Sequence, residues 1–207
     1  MTERKGRFIV LEGLDGSGKS TQARMIEEYL VSRGFEVMRT GEPQSDRPTG
    51  KLLREILGGN EKCDPRVTAA LFAADRIDHV TRPGGILEAI VRGSFVICDR
   101  YYLSNLAYNS SECGFDWIAQ LNSEAARLCK PDLHIFVDVP PERSFDRLKN
   151  RQATEIYEKL DYLARVRKNY LAVFEKLKDS ENIAVIDGTP DKETVFREIL
   201  PYVEKLI

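Results

Sequence analysis

A glycine-rich segment near the start of the chain restricts its possible folds more than any other feature. Residues 13–20 read Gly-Leu-Asp-Gly-Ser-Gly-Lys-Ser, which fills every fixed position of the phosphate-binding P-loop pattern. Its glycines let consecutive backbone N–H groups approach a phosphate, and the positive end of the following helix faces the same oxygens. A short apolar run, 8–11, precedes the segment, and residues with helical apolar spacing follow it. The segment therefore predicts a strand, a phosphate-binding loop and a helix in this order.

The side chains of this loop predict a site for ATP with Mg²⁺. Lys19 is expected to reach the β- and γ-phosphates, and the hydroxyl of Ser20 suits Mg²⁺. Asp99 ends a later apolar run, where it can hold the metal ion opposite the loop. The predicted metal ligands are thus Ser20 and Asp99, although Asp99 could instead cap the next helix. The loop residues predicted to bind ATP are Gly13, Leu14, Asp15, Gly16, Ser17, Gly18, Lys19, Ser20 and Thr21.

Apolar runs alternate with helical patterns along the rest of the chain. Further strands are predicted at 35–39, 95–99, 133–139 and 183–187, and further helices at 51–57, 66–80 and 86–92. The helix that follows the P-loop is predicted to end at Arg33-Gly34. Continuously apolar strands joined by helices indicate parallel strands that are covered on both faces. We therefore expect an α/β, P-loop NTPase fold with a five-stranded parallel sheet, helices on both faces and a short helical lid, as one domain over residues 1–207. Ligands should gather at the carboxyl ends of the strands.

The composition argues against several other classes of protein. The 207 residues carry 31 basic and 33 acidic side chains, so no broad basic face favours nucleic-acid binding. Four cysteines without a C-x-x-C pair, and two histidines, indicate neither a zinc site nor a disulfide framework. No apolar run approaches membrane-spanning length, and the short segment before the first predicted strand leaves no room for a signal peptide. We expect a cytoplasmic protein whose partners are small-molecule nucleotides.

Two polar helical stripes are candidates for base recognition. Phe72, Arg76 and His79 share one face of a predicted helix, where an aromatic ring beside a guanidinium can stack on a base and bond its edge. A core phenylalanine with a solvated arginine would show the same spacing. The second stripe consists of Tyr101, Asn105, Tyr108 and Asn109. Asparagine amides can serve both donor and acceptor atoms of a pyrimidine, although this stripe could equally be a polar helix start.

Arginines elsewhere are candidates for phosphate contacts. Arg100 follows Asp99 at the same predicted sheet edge, and its planar fork suits bidentate phosphate binding, with a surface ion pair as the alternative. A basic run on another predicted helix consists of Arg143, Arg147, Lys149 and Arg151. Such a run can form a mobile lid that places positive charge over a migrating phosphoryl group and excludes water, whereas most charge runs are solvated faces.

Together these residues resemble the thymidylate kinase family of P-loop nucleoside-monophosphate kinases. The resemblance extends over nearly the whole chain. Its segments are 8–13, the P-loop, Glu42-Pro43, Leu71-Phe72-Ala73-Ala74-Asp75-Arg76, Asp99-Arg100-Tyr101, Ala107-Tyr108, Pro131-Asp132 and Val166-Arg167-Lys168-Asn169-Tyr170-Leu171. The segments at 71–76 and 99–101, at this spacing from a P-loop, are specific to that family. The resemblance implies ATP-dependent, Mg²⁺-assisted phosphorylation of dTMP to dTDP by a homodimer.

The resemblance also implies roles for individual residues. Those assigned to dTMP are Asp15, Phe72, Arg76, Arg100, Asn105, Tyr108 and Asn109, most of them in an acceptor-base region at 66–109. Phe72 would stack on thymine, Arg76 would bond its O4, and Asn105 with Asn109 would read N3. Asp15 would contact the 3′-hydroxyl, Tyr108 would crowd the 2′ position and Arg100 would hold the acceptor phosphate. The implied catalytic residues are Lys19, Arg100, Arg147 and Arg151, of which the last two belong to a lid at 143–160; Arg147 and Thr189 would also lie near the adenine of ATP.

Two departures from the family pattern leave contacts unassigned. Many members have an arginine immediately before the Glu-Pro pair, where this chain has Gly41. We expect Arg100 to carry more of that phosphate contact, with Arg39 or Arg47 as substitutes for the missing arginine. The lid has Thr154-Glu155 in place of a common aspartate–arginine pair. Because the variable part of the P-loop holds no basic residue, the catalytic arginine should come from the lid.

Two other functions are compatible with parts of this sequence. A kinase for another nucleoside monophosphate would share the fold and the P-loop. A nucleotide-dependent switch of the GTPase type would need an asparagine-lysine-x-aspartate segment to read guanine, and residues 129–132 have cysteine in the first position. No Asp-x-x-Gly element follows a later strand either, so the sequence favours the kinases.

Overall fold

Five parallel strands form one sheet in the computed structural model, which describes residues 6–147 and 154–207. In chain order they are β1 (Arg7–Glu12), β2 (Val37–Gly41), β3 (Phe95–Asp99), β4 (Leu133–Asp138) and β5 (Ile183–Asp187). Their order across the sheet is β2-β3-β1-β4-β5, and each neighbouring pair is parallel. The predicted α/β fold with a five-stranded parallel sheet is therefore confirmed. All strands end at the same edge, where the loops that follow β1 and β3 lie side by side.

Helices cover both faces of this sheet. They are α1 (Lys19–Ser32), α2 (Pro48–Leu57), α3 (Pro65–Thr81), α4 (Ile86–Arg92), α5 (Tyr102–Cys113), α6 (Phe115–Leu128), α7 (Pro141–Arg147), α8 (Thr154–Leu177) and α9 (Lys192–Glu204). Alternate residues of β1 enter different cores: Phe8 packs in the cluster that contains Tyr170 of α8, and Ile9 in the cluster that contains Ile26 of α1. Both faces of β1 are thus buried, as its continuous apolar run predicts. Among the described residues, no helix combines the length and the apolar composition needed to cross a membrane.

The ends of several elements differ from the sequence-based prediction by two or three residues. The strand β2 begins at Val37 and not at 35, because its pairing with β3 runs from Val37 opposite Phe95 to Gly41 opposite Asp99. The helix α2 begins three residues earlier than predicted, at Pro48, whose fixed φ suits the first helical position. The end of α1 before Arg33-Gly34 is as predicted. These shifts move residues within elements and leave the topology unchanged.

Candidate active site

The P-loop connects β1 to the N-terminus of α1 and requires glycine at its bends. Gly13 has a φ of 146° and Gly18 a φ of 104°, values that residues other than glycine rarely adopt. A Cβ atom at Gly13 would also lie 2.8 Å from both Ser17 Oγ and the carbonyl oxygen of Val137. Gly18 immediately precedes the 14-residue helix α1. The predicted order of strand, loop and helix is confirmed, and the loop encloses the positive end of this helix.

Lys19 is held inside the loop by the loop's own backbone. Its Nζ atom donates to the carbonyl oxygens of Gly13, at 3.2 Å, and Leu14, at 2.9 Å. The residue is only 5% exposed, and Asp99 Oδ1 lies 3.9 Å from Nζ. Burial, and secondarily the positive charge of Arg100, lower the pKa of Lys19 to about 8. A phosphate anion at this place would favour the charged ammonium and raise that pKa again.

Nucleotide binding near Lys19 should therefore take up protons in alkaline solution. At about pH 9, phosphate groups are fully ionised, whereas much of Lys19 is neutral in the free protein. Binding of ADP should then take up a fraction of a proton per site, because the bound anion raises the lysine pKa above the solution pH. Isothermal titration calorimetry in buffers of different ionisation enthalpy measures this uptake. Lys19→Met should abolish it, and equal binding heats in all buffers for the wild type would contradict the placement of Lys19.

Ser20 and Asp99 bring oxygen atoms together from the P-loop and the end of β3. Ser20 Oγ donates to Asp99 Oδ2 over 3.4 Å. The other carboxylate oxygen, Asp99 Oδ1, is buried and accepts no hydrogen bond from the residues that the structure describes. Hydroxyl and carboxylate oxygens are suitable ligands for a hard cation such as Mg²⁺. The chemistry of these two side chains therefore fits a magnesium site.

Arg100 lies at the centre of the site, in a strained backbone conformation. It is the residue after β3 and has a φ of 71°, in the left-handed region that favours glycine. Its Nη2 donates to Asp15 Oδ1 at 2.6 Å, and its Nη1 donates to Ser104 Oγ and the Tyr170 hydroxyl, both at 3.2 Å. Its guanidinium carbon lies 5.0 Å from the centre of the Tyr108 ring. Asp15, the two hydroxyls and the Tyr108 ring thus constrain the orientation of the guanidinium, which prepares it to hold anionic oxygens.

Glu12 supports Arg100 indirectly, through two hydroxyl groups that both residues contact, and was not identified by sequence reasoning. This fully buried carboxylate accepts hydrogen bonds from Ser104 Oγ at 2.5 Å, the Tyr170 hydroxyl at 3.0 Å and the Tyr101 backbone N–H at 3.1 Å. Burial raises the pKa of the Glu12 carboxyl. Ser104 and Tyr170 are also the two hydroxyls that accept from Arg100, so Glu12 fixes the orientation of both. In the sequence, Glu12 is marked only by its place at the end of an apolar run, within the family segment 8–13.

A cavity of about 270 Å³ lies beside Arg100. All seven side chains predicted to bind the acceptor nucleotide line it: Asp15, Phe72, Arg76, Arg100, Asn105, Tyr108 and Asn109. Leu57 and Tyr162 also contribute to its wall and were not predicted. Burial raises the pKa of Tyr108 to about 12, so its phenol is neutral. We call this space the acceptor cavity.

Two members of the predicted stripes lie outside the acceptor cavity lining. Tyr101 is not part of the stripe on α5, because this helix begins one residue later, at Tyr102. The Tyr101 side chain is fully buried, and its hydroxyl donates to the carbonyl of Cys129 at 3.2 Å. His79 is fully buried as well, with Nε2 at 2.8 Å from Thr40 Oγ1 and Nδ1 at 3.2 Å from Glu42 Oε1. Both side chains therefore form hydrogen bonds inside the protein and do not line the acceptor cavity.

A second, polar cavity of about 430 Å³ lies at the carboxyl ends of β2 and β3. Gly41, Arg54, Asp99 and Arg100 are among the residues that line it, so Arg100 belongs to both cavities. Arg39 and Arg47, the expected substitutes for the arginine missing at Gly41, lie elsewhere. The first pairs with Glu27 at 3.1 Å and the second with Asp78 through two hydrogen bonds of 2.8 and 3.0 Å. Arg54, which donates to the carbonyl of Pro43 at 3.0 Å, is the cation of α2 that reaches this cavity.

Arg147 links the P-loop to the loop after β5. Its Nη1 donates to the carbonyl of Ser17 at 3.1 Å, and its Nη2 to that of Gly188 at 3.2 Å. Thr189 follows Gly188, and its backbone N–H donates to Asp187 Oδ1 at 2.9 Å. The two residues predicted to lie near adenine are therefore close to each other and to the P-loop. Arg151, the other predicted lid cation, lies outside the described residues.

The sequence of this chain is similar to those of known proteins along nearly its whole length. The family model described as thymidylate kinase matches residues 11–199. A probable thymidylate kinase of Thermococcus kodakarensis is 39% identical over 97% of this chain and 98% of its own length. One from Pyrococcus abyssi is 40% identical over 97% of both chains. The thymidylate kinase of Thermosipho melanesiensis is 35% identical over 97% of this chain and 98% of its own length.

Proposed function

The chain belongs to the thymidylate kinase family, and on this basis we propose how its residues carry out the reaction of that family. The protein is a nucleoside-monophosphate kinase, which transfers the γ-phosphoryl group of ATP to dTMP and forms dTDP and ADP. One observation carries the assignment of the site: seven residues from the P-loop, α3, α5 and the end of β3 line a single cavity next to the P-loop. Arg100 lies where this cavity meets the polar one.

The acceptor nucleotide occupies the acceptor cavity in this proposal. Phe72 stacks on thymine, while Arg76 and Asn105 serve the polar edge of the base. Asp15 receives the 3′-hydroxyl, and Tyr108 leaves no space for a 2′-hydroxyl. Asn109, which donates to Asn105 Oδ1 at 2.8 Å, supports the base contact. The α-phosphate then lies against Arg100, whose fork matches two phosphate oxygens.

ATP occupies the P-loop, with Lys19 on its β- and γ-phosphates. Ser20 and Asp99 would hold Mg²⁺, which when bound neutralises charge on the phosphate oxygens. Arg147 and Arg151 provide the lid cations, and Thr189 borders the adenine. Transfer is in-line and needs no covalent link to the protein, so the contribution of these side chains is positioning, charge stabilisation and the exclusion of water.

We also propose where the protein acts and with which partners. Residues 1–207 act as one catalytic domain in the cytoplasm, with small nucleotides and not nucleic acids as partners, which the balanced charge of the chain supports. Two copies form a homodimer, as the family resemblance implies. The exposed apolar side chain of Val67 on α3, at 47% exposure and outside the lining of the acceptor cavity, supports an association of this kind.

A panel of acceptors tests the proposed function. With ATP and Mg²⁺, dTMP should give a higher kcat/KM than dUMP by roughly tenfold or more, because one methyl group in an apolar pocket is worth about 1–3 kcal/mol. The values for dCMP should be lower still, because its N3 carries no proton and its amino group opposes the Arg76 donors. ADP release measured by a coupled assay provides the rates. Equal efficiency with dCMP would instead support a broad nucleoside-monophosphate kinase.

Arg54 should replace the arginine that this chain lacks at Gly41. Arg54→Ala should raise the KM for dTMP about tenfold or more, since a charge-assisted hydrogen bond is worth about 1.5–3 kcal/mol. Arg47→Ala is the matched control, because its guanidinium is engaged by Asp78 and lies outside the lining of the polar cavity. A larger acceptor defect in Arg47→Ala than in Arg54→Ala would contradict this assignment.

A further inference from the structure

Asn122 lies on α6 behind the acceptor cavity and contacts two residues of its wall. It is only 3% exposed and is not part of the cavity lining. Its Oδ1 accepts hydrogen bonds from Arg76 Nη1 and, over 3.4 Å, from Asn105 Nδ2. Its Nδ2 donates to the carbonyl of Ile118 at 2.8 Å. One buried amide is thus shared between the two side chains proposed to read the base.

The partners of these amides determine which way each amide points. A backbone carbonyl only accepts and a guanidinium only donates, so Asn122 must direct its nitrogen to Ile118 and its oxygen to Arg76. Asn105 is oriented in the same manner, because its Nδ2 donates to the carbonyl of Ala69 at 3.1 Å and to Asn122. The oxygen of Asn105 is therefore the atom that remains for the cavity. It accepts one hydrogen bond, from Asn109, and retains a second lone pair.

Arg76 is fixed by the same arrangement from the opposite side. Glu42 Oε2 lies 2.7 Å from its Nη2, and its guanidinium carbon lies 5.2 Å from the centre of the Tyr101 ring. Asn122 holds Nη1, so the plane of the guanidinium is set by three neighbours from three separate segments of the chain: the loop after β2, the residue before α5, and α6. Without the acceptor on Asn122, one end of this buried cation would lose its partner.

We propose that Asn122 is a positioning residue for the selection of the base, an inference that rests on the proposed function. Through its shared oxygen it keeps the Asn105 oxygen and the Arg76 donors directed at the base. Thymine and uracil present an N3–H donor and an O4 acceptor, which this arrangement satisfies. Cytosine presents an N3 acceptor and an amino donor at the same places, so both contacts become repulsive. Asn122 thereby controls the discrimination against cytosine without touching the nucleotide.

The test compares three acceptors in variants at this position. Asn122→Leu removes the shared acceptor with a side chain of the same branching and should narrow the ratio of kcat/KM for dTMP over dCMP by about tenfold or more, the value of one misdirected buried hydrogen bond. The ratio for dTMP over dUMP should stay unchanged, because both bases present the same polar edge. Asn122→Asp keeps both acceptor contacts and should preserve the discrimination against dCMP. If the leucine variant does not fold, Asn122→Ser provides the same test with a hydroxyl too short to reach Arg76.

Ala125→Gly, one turn further along α6, is the matched control. It weakens the helix but leaves the hydrogen bonds from Arg76 and Asn105 to Asn122 in place. Its ratios should equal those of the wild type. The inference is overturned by an unchanged dTMP-to-dCMP ratio in Asn122→Leu, by a parallel fall of both ratios, or by equal effects of leucine and aspartate. A wild-type protein that does not favour dTMP over dCMP would contradict the proposed function itself, so the two failures are distinguishable.

Discussion

Replacing Lys19 with alanine should lower kcat at least about 100-fold, and up to about 1000-fold, while the protein stays folded. The ammonium lies within the P-loop, where two backbone carbonyl oxygens accept its hydrogen bonds. Its charge is therefore available to the phosphoryl group in the transition state. Steady-state kinetics with ATP and dTMP measure the loss, and circular dichroism confirms the fold.

Lys178→Ala is the control for the loss of a lysine. Lys178 is an exposed residue of a pair with Glu175, and its removal should change kcat by less than about twofold. Near-normal turnover of Lys19→Ala, with an unchanged circular dichroism spectrum, would show that Lys19 does not act on the transferred group.

Replacing Arg100 with alanine should lower kcat/KM for dTMP by about 100- to 1000-fold, because a preorganised cation is removed from the reacting phosphates. Arg100→Lys should recover only part of this loss. It retains the charge, but it cannot reproduce the two-pronged contact or the simultaneous bonds to Asp15, Ser104 and Tyr170. Both the KM for dTMP and kcat should change, as measured by initial rates over a range of dTMP concentrations.

The affinity for ADP should change little in either Arg100 variant, because Arg100 contacts the acceptor side of the P-loop. Arg127→Lys is the matched control, since Arg127 makes a bidentate pair with Glu124 on the exposed surface of α6. It should behave as the wild type. An Arg100→Lys enzyme with wild-type kinetics for dTMP would refute this account of the phosphate contact.

The sheet could be predicted because its strands carry their own signal. Every residue of the run 8–11 is buried, and a fully apolar run next to a P-loop has few other interpretations. The ends of β2 could not be predicted, because they depend on pairing with Phe95 and Asp99, which lie far along the chain. The early start of α2 had a local signal in Pro48 that hydrophobic spacing alone does not show.

The cavity wall was predictable where residues belong to segments of the family, such as Phe72 and Tyr108, or to a polar helical stripe, such as Asn105 and Asn109. Residues with neither signal were not predicted. Arg54 lines the polar cavity and donates to the carbonyl of Pro43, 11 residues away in sequence, and Asn122 contacts Arg76 across 46 residues. The arginines at 39 and 47 looked equally suitable in the sequence, and only the acidic partners Glu27 and Asp78 show where they point. Long-range electrostatic pairing thus limited the prediction.

A crystal structure of the protein with dTMP bound would locate both the base and the phosphate of the acceptor. We expect thymine against the ring of Phe72, with N3 at about 3 Å from Asn105 Oδ1 and the phosphate on Arg100. The phosphate should lie at the junction of the acceptor cavity and the polar cavity, directed at the P-loop. A nucleotide whose base lies outside the acceptor cavity, or whose phosphate makes no contact with Arg100, would contradict the account.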